Sequence, residues 1–273
     1  MKRINKHSWM RSAAIVLLAA AVSAPLALAQ DSADQIMKKS HLAYYYAADD
    51  GIAEVKMTIV DKRDRERTKE FTMLRLDEEQ GGPQKYYTYF RQPSDVRRLT
   101  FMVHKNSGGN DQRWIYVPAV DLVKPISADD KNSSFVGSHF SYEDVSGRHW
   151  TEDNHKLAGD STIDGNAVWI MESIPKDDGY DGFARKLSYV DKSNYLPLVE
   201  RYYNGKGELH RQFRAGAIEE IDGILTMTER TMQDVSGGGY TVIEFTGIKY
   251  DQGLQSDIFT ERYLKNPPRK FIR

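Results

Sequence analysis

Two short runs invite a chemical reading. Gly137-Ser138-His139 sets a hydroxyl beside an imidazole, the pair of groups with which a hydrolase activates a nucleophile. His149, Glu152, Asp153 and His155 gather metal-ligating types in one stretch. Neither spacing supports the chemistry. There is no G-x-S-x-G elbow, and a serine and histidine adjacent in sequence do not generally face each other, because triad partners meet through the fold. Ser138 and Ser141 read instead as residues that cap or tighten a loop turn. The second run is not H-E-x-x-H, and a strand or loop splays alternate side chains to opposite faces. Those four residues read as solvated, with adventitious metal binding as the lesser alternative. The Gly237–Gly239 run leads from one strand to another and not into a helix, so it makes no phosphate cradle. No acid–base pair stands out, and no enzyme activity, cofactor or metal is expected.

What remains is an apolar interior. Tyrosine and phenylalanine are abundant, and many alternate along candidate strands: Tyr87 with Tyr89, Trp114 with Tyr116, Leu187 with Tyr189, Ile243 with Phe245. Alternation says that one face is buried. Whether that face is a filled core or the lining of a lipid pocket stays open at this level.

The elements that would carry these side chains are mostly strands. One helix is predicted over residues 32–48, opened by a capping box of Ser32 and Gln35 and ended by Asp49-Asp50-Gly51. Ala53, Val55, Met57 and Ile59 then alternate with polar residues. Glu70 to Leu76, Lys85 to Phe90, Arg98 to His104 and the Trp114 strand repeat the pattern. In the second half, Asp164-Gly165, Asn204 to Gly207, Asp222-Gly223 and Ser236 to Gly239 punctuate six further strand-like segments: 167–174, 184–191, 198–204, 209–217, 225–233 and 240–250. Lys124 to Lys131 reads as a charged link, 132–146 as an aromatic-studded loop, and Ser256 to Leu264 as a short helix capped by Ser256. So many successive hairpins give a long antiparallel sheet that twists and curls towards a barrel or half-barrel. Its concave face needs filling, and the 32–48 helix and 132–146 loop are the evident plugs.

The N-terminus reads as a secretory signal: basic Lys2, Arg3, Lys6 and Arg11, an apolar run from Ala13 to Val22, and Ala27-Leu28-Ala29 before a cleavage expected ahead of Gln30. No cysteine follows, so the protein is not expected to be lipidated itself. Without residues 1–29 the chain carries 34 basic against 39 acidic side chains, a balance that argues against nucleic acid and against simple electrostatic binding to anionic membranes. The absence of cysteine excludes disulfides and thiolate metal sites. The expected organisation is a signal peptide, 1–29, and a single domain, 30–273, located in the periplasm and monomeric.

Residues 112–146 carry a family resemblance. Trp114-Ile115-Tyr116-Val117-Pro118 is similar to a W-x-Y-x-P strand, and Ser134-Phe135-Val136-Gly137-Ser138-His139-Phe140-Ser141-Tyr142-Glu143-Asp144 to S-F-x-G-S-D-F-x-Y-E-D. Together they resemble the outer-membrane lipoprotein-sorting protein family, a LolA-like branch associated with RND-type exporters. Met57 to Asp61, Phe90-x-x-Pro93 with Leu99-x-Phe101, Tyr202-Tyr203-Asn204-x-x-Gly207 and Asp257-x-Phe259-Thr260-x-Arg262-x-Leu264 extend the likeness over most of the chain. One departure is His139, where the family has aspartate. It replaces an acceptor-only group with one that titrates near neutral pH and puts in doubt any salt bridge made there.

The resemblance implies a mainly β fold: a curled antiparallel sheet forming an incomplete barrel, with an N-terminal helix and short helices over its open side and an apolar cavity for acyl chains. Its implied cavity residues are Met57, Ile59, Tyr87, Tyr89, Trp114, Tyr116 and Phe135. Gly137, Ser138, His139, Phe140, Tyr142 and Asp144 become candidates for a lid or docking loop. The implied partners are a lipid or acylated lipoprotein, an inner-membrane RND-type exporter and an outer-membrane acceptor. The alternative from the residues alone is an adaptor of an exporter or envelope assembly machine with a fully packed core.

Overall fold

A computed structural model describes residues 31–106 and 109–272; the expected signal peptide, 1–29, lies outside them. Helix α1 (Ala33–Tyr45) begins at the expected capping box, with the Ser32 hydroxyl accepting from the Gln35 N–H and the Gln35 side chain accepting from the Ser32 N–H. The strands of the first half are β1 (Asp50–Asp61), β2 (Glu66–Asp77), β3 (Gln84–Gln92), β4 (Thr100–Lys105), β5 (Gln112–Val117) and β6 (Leu122–Ile126). A short helix α2 (Tyr142–Ser146) precedes β7 (Asp153–Ile163), β8 (Asn166–Pro175), β9 (Arg185–Asp191), β10 (Pro197–Tyr203) and β11 (Leu209–Ala215). Then come β12 (Ile218–Ile221), β13 (Ile224–Met227), β14 (Glu229–Asp234), β15 (Gly239–Tyr250) and helix α3 (Glu261–Lys265).

Thirteen strands form one antiparallel sheet in the order β6-β5-β4-β3-β2-β1-β15-β14-β11-β10-β9-β8-β7; β12 and β13 stand apart as a hairpin. The sheet curls but does not close, and β1 pairs with β15 to join the two halves. Both edge strands escape the sequence reading for the same reason. β6 contains Pro125, tolerated because an edge strand does not need every ladder donor, and β7 is charged and largely exposed, as edges that resist further pairing are. The segment predicted as one strand over 225–233 is β13 and β14, broken at Thr228. The Ser256–Leu264 helix is a single 3-10 turn, Ser256–Ile258, followed by α3.

Register decides which aromatics share a face. On the inner face, Val55 lies opposite Phe71 and Phe245, Phe71 opposite Phe90, and Phe101 opposite Ile115. Met102 lies opposite both Tyr87 and Trp114, and Thr100 opposite both Tyr89 and Tyr116, which puts those four aromatics on the outer face. There the C-terminal segment covers them. Tyr87 donates to the Tyr263 carbonyl at 2.7 Å, Thr100 to that of Leu264 at 2.8 Å, and Phe259 and Leu264 are fully buried against the patch. The seven implied cavity residues therefore divide. Met57, Ile59 and Phe135 belong to the inner core, while Tyr87, Tyr89, Trp114 and Tyr116 pack under the C-terminal segment and do not line the concave side. The physical reason is the two-residue period of a strand: side chains of neighbouring strands meet only where register gives them the same parity.

Candidate functional site: the concave face and its plug

Two elements fill the hollow of the sheet. Helix α1 packs Ile36 and Met37 against Met171 of β8 and Val190 of β9, and sets Tyr44 edge-on to Phe213 of β11 at 6.0 Å. Residues 132–147 supply the second plug. Its tip is a tight turn closed by the Ser138 N–H donating to the Phe135 carbonyl at 3.0 Å, with Val136 and Gly137 both left-handed at φ 49° and 78°. A two-residue turn of this hand favours glycine at Gly137, and the β-branched Val136 holds a conformation it ordinarily avoids. The turn drives Phe135 inward among Phe101 at 5.3 Å, Tyr142 at 5.8 Å, Phe90 at 6.0 Å and Phe71 at 6.2 Å. Phe140 is buried in the same cluster.

The Ser141-to-Asp144 spacing conceals a capping box. The Ser141 hydroxyl accepts from the Asp144 N–H at 3.1 Å and the Asp144 carboxylate accepts from the Ser141 N–H at 2.6 Å, which starts α2 inside what the sequence shows as loop. Asp144 also takes a hydrogen bond from Arg211 of β11, tying the plug to the far side of the sheet. Glu143, buried, accepts from the Tyr180 hydroxyl at 2.5 Å and pairs with Lys131 at 3.1 Å. At the other end of α2, buried Lys105 of β4 donates to the Ser146 and Gly147 carbonyls, both at 2.9 Å. Burial pulls its ammonium down to about 8, yet a cation at a helix C-terminus is where the exposed carbonyls favour it. Gly147 is a site where only glycine fits, because a Cβ there would lie 2.4 Å from the Tyr45 ring.

The end of α1 is held the same way. Arg75 of β2 donates to the carbonyls of Tyr45, Ala47 and Ala48. Asp77 lies behind it at 3.6 Å, with Gln84 donating to it at 2.7 Å. Because the guanidinium is committed to those carbonyls, burial dominates, and the Asp77 carboxyl is pushed up to about 6. The folded protein thus binds a proton here that the unfolded chain has released. Its contribution to stability is full near pH 4 and is lost as pH rises through about 6. Asp77→Asn is expected to raise stability by about 1–2 kcal/mol at pH 7.5 and by nearly nothing at pH 4, as read from paired denaturant melts. An equal gain at both pH values would contradict this account.

His139 faces Thr241 of β15. Its N–H donates to the Thr241 hydroxyl at 3.0 Å, and its Nδ1 lies 2.8 Å from the same oxygen. Burial lowers the imidazole below its usual range, so the ring is neutral at neutral pH. Ser138, His139 and Phe140 border an open polar pocket of about 250 Å³ against His210, Arg211 and Asp234. The cluster at 149–155 is engaged elsewhere: Arg148 pairs with Glu152 at 2.7 Å and Asp153 at 2.9 Å, and His155 contacts the Ser173 hydroxyl and the Trp150 carbonyl.

Beside the C-terminal half of α1 an apolar recess of about 120 Å³ remains open. Tyr44, Tyr45, Ala53, Met73, Met227 and Phe245 are among its walls, so α1, the sheet and the β12–β13 hairpin all contribute. None of the seven implied cavity residues lines it. On the far half of the concave face the lining is charged: Lys186 pairs with Glu200 at 2.9 Å, and a polar cavity of about 60 Å³ lies beside them under α1. The overlooked signal was charge at inward parity. Arg75 follows Phe71 and Met73, Lys105 follows Phe101 and Val103, and Arg211 precedes Phe213, each two residues on along its strand.

An unclosed, curled antiparallel sheet with a helix and a loop lodged in its hollow is the LolA-like fold. Solved structures share it. An outer-membrane lipoprotein-sorting protein domain from Vibrio parahaemolyticus is 27% identical, with a TM-score of 0.78 over 85% of this chain and 98% of that one. A DUF1329 family protein from Desulfovibrio piger is 27% identical, with a TM-score of 0.79 over 86% of this chain and all of the other. A LolA superfamily protein from Nitrosomonas europaea, 19% identical with a TM-score of 0.67 over 86% of this chain and all of that one, shares the fold. A family model described as that of an uncharacterized protein matches residues 82–266, and no curated protein matches. The chain belongs to the outer-membrane lipoprotein-sorting family of LolA-like proteins.

Proposed function

We propose that this protein is a periplasmic carrier that binds a lipid, or the acyl moiety of a lipoprotein, in the hollow of its half-barrel and moves it towards the outer membrane. The observation that carries the reading is the apolar recess between α1, the inner face and the β12–β13 hairpin. Its volume of about 120 Å³ is near the ~150 Å³ of an engineered cavity that accepts benzene, so it takes the tip of an acyl chain and no more. Each further methylene buried contributes about 0.8 kcal/mol, and burying a whole chain requires the 132–147 plug to withdraw. The plug suits that role: it is joined to the sheet by side-chain ties and not by strand pairing, and its aromatics occupy space that a chain could take.

Export of the protein by a cleaved signal peptide, hand-over from an RND-type exporter and delivery to an outer-membrane acceptor complete the proposal, with the 137–144 loop as the docking element. One observation favours a second reading. The concave face is mostly filled by the protein itself, which is what an adaptor with a packed core requires. Purification from the periplasm under native conditions, followed by lipid mass spectrometry, separates the two. A stoichiometric, homogeneous acyl species is the expected result; an empty extract together with no binding of fluorescent fatty acyl probes would sink the carrier reading.

A further inference from the structure

The outer face carries a groove of about 820 Å³ between the β3–β4 connection and the C-terminal segment. Five cations line it: Arg91, Arg97 and Arg98 from one wall, Lys265 and Arg269 from the other. Two have partners, Arg91 with Glu54 and Lys265 with Asp121 at 3.0 Å. Arg97, Arg98 and Arg269 are exposed and make no ion pair among the described residues. In a chain with more acidic than basic side chains, three uncompensated guanidinium groups in one concavity make a strong local field.

The wall that carries two of them is rigid. Arg98 is left-handed at φ 69°, its N–H donating to the Phe90 carbonyl at 2.8 Å, while the Phe90 N–H donates to the Leu99 carbonyl at 2.9 Å. A non-glycine residue held in that region marks a position fixed by its surroundings. The floor is apolar, with Tyr89 and buried Ile272 between the walls.

We propose that this groove binds a phosphate-bearing anion, presented as the headgroup of an anionic phospholipid. Guanidinium groups match phosphate oxygens in a two-pronged geometry, which suits arginine over lysine here. The groove is far larger than one phosphate, and its apolar floor accepts the glycerol and first methylenes behind a headgroup. The site is on the opposite face from the inner recess and stands whether or not that recess takes an acyl chain. Overall charge speaks against attraction to anionic membranes, but a groove acts through its own field and not through the net balance.

The test is flotation of the purified protein with vesicles of equimolar phosphatidylcholine and phosphatidylglycerol, and with phosphatidylcholine alone. Arg97→Gln/Arg269→Gln is compared with Arg63→Gln/Lys206→Gln, which removes the same charge from exposed turns outside the groove. The protein is expected to float with the anionic vesicles only, the groove variant roughly thirtyfold more weakly, and the control variant nearly unchanged. Equal binding by the two variants would overturn the groove as the site. Titration with inorganic phosphate separates the sources. Saturable phosphate binding lost in the groove variant, with no vesicle binding by the native protein, would overturn the headgroup assignment in favour of a soluble phosphate.

Discussion

Asp144→Ala will cost about 3–5 kcal/mol and release the plug from the sheet, because it strips a largely buried arginine of its counter-charge. The Arg211 side chain keeps 16% of its surface exposed, and Asp144 is the carboxylate that pairs with it. The same carboxylate accepts from the Ser141 N–H, so the substitution also removes the cap that begins α2. Urea unfolding gives the energetic loss, and hydrogen exchange locates it: amides 133–147 should exchange faster, while those of β1, β2 and β15 keep their order of protection. A second variant separates the charge from the cap. Asp144→Ala/Arg211→Leu leaves no buried charge unpaired and should recover part of the loss. If the double variant is as unstable as the sum of the singles, the ion pair is not what holds the plug.

That latch explains what the sequence concealed. Alternation, turn residues and the Ser32–Gln35 capping box were enough to predict α1, most strands and an antiparallel sheet that curls, because each depends on neighbours along the chain. The Trp114–Tyr116 and Tyr87–Tyr89 pairs were legible as buried but not as outward-facing. Which face is concave depends on the register of β3, β4 and β5 and on the return of residues 254–272, contacts separated by well over a hundred residues. Likewise Lys105, Arg75 and Arg211 look like ordinary strand cations until their parity is compared with Val103, Met73 and Phe213. Their partners, the carbonyl ends of α1 and α2 and the Asp144 carboxylate, are supplied by the fold. The Ser141–Asp144 box is a local signal that goes unread, since five residues of helix inside a polar loop give too short a pattern to register.

Phe135→Ala is the variant whose outcome discriminates between carrier and adaptor. Truncating a buried phenylalanine costs about 3–5 kcal/mol, through lost transfer energy and the cavity left behind. Stability alone therefore cannot separate the readings, since both require this loss. Affinity can. If cargo displaces the plug, the free energy that seats Phe135 opposes binding in the native protein and appears as a reduced apparent affinity. Removing about 3 kcal/mol of that opposition should raise the affinity for a long-chain fluorescent fatty acid by up to roughly a hundredfold. A short probe would not serve, because a fresh apolar cavity binds small molecules in any packed core. A chain longer than the cavity needs further apolar space on the inner face, such as Phe135 vacates. Ala53→Trp, which fills the recess from β1, should cancel the gain while leaving the stability loss in place. Unchanged long-chain affinity in a folded Phe135→Ala protein would make the aromatic cluster a core in its own right, and would shift the function to the surfaces around it.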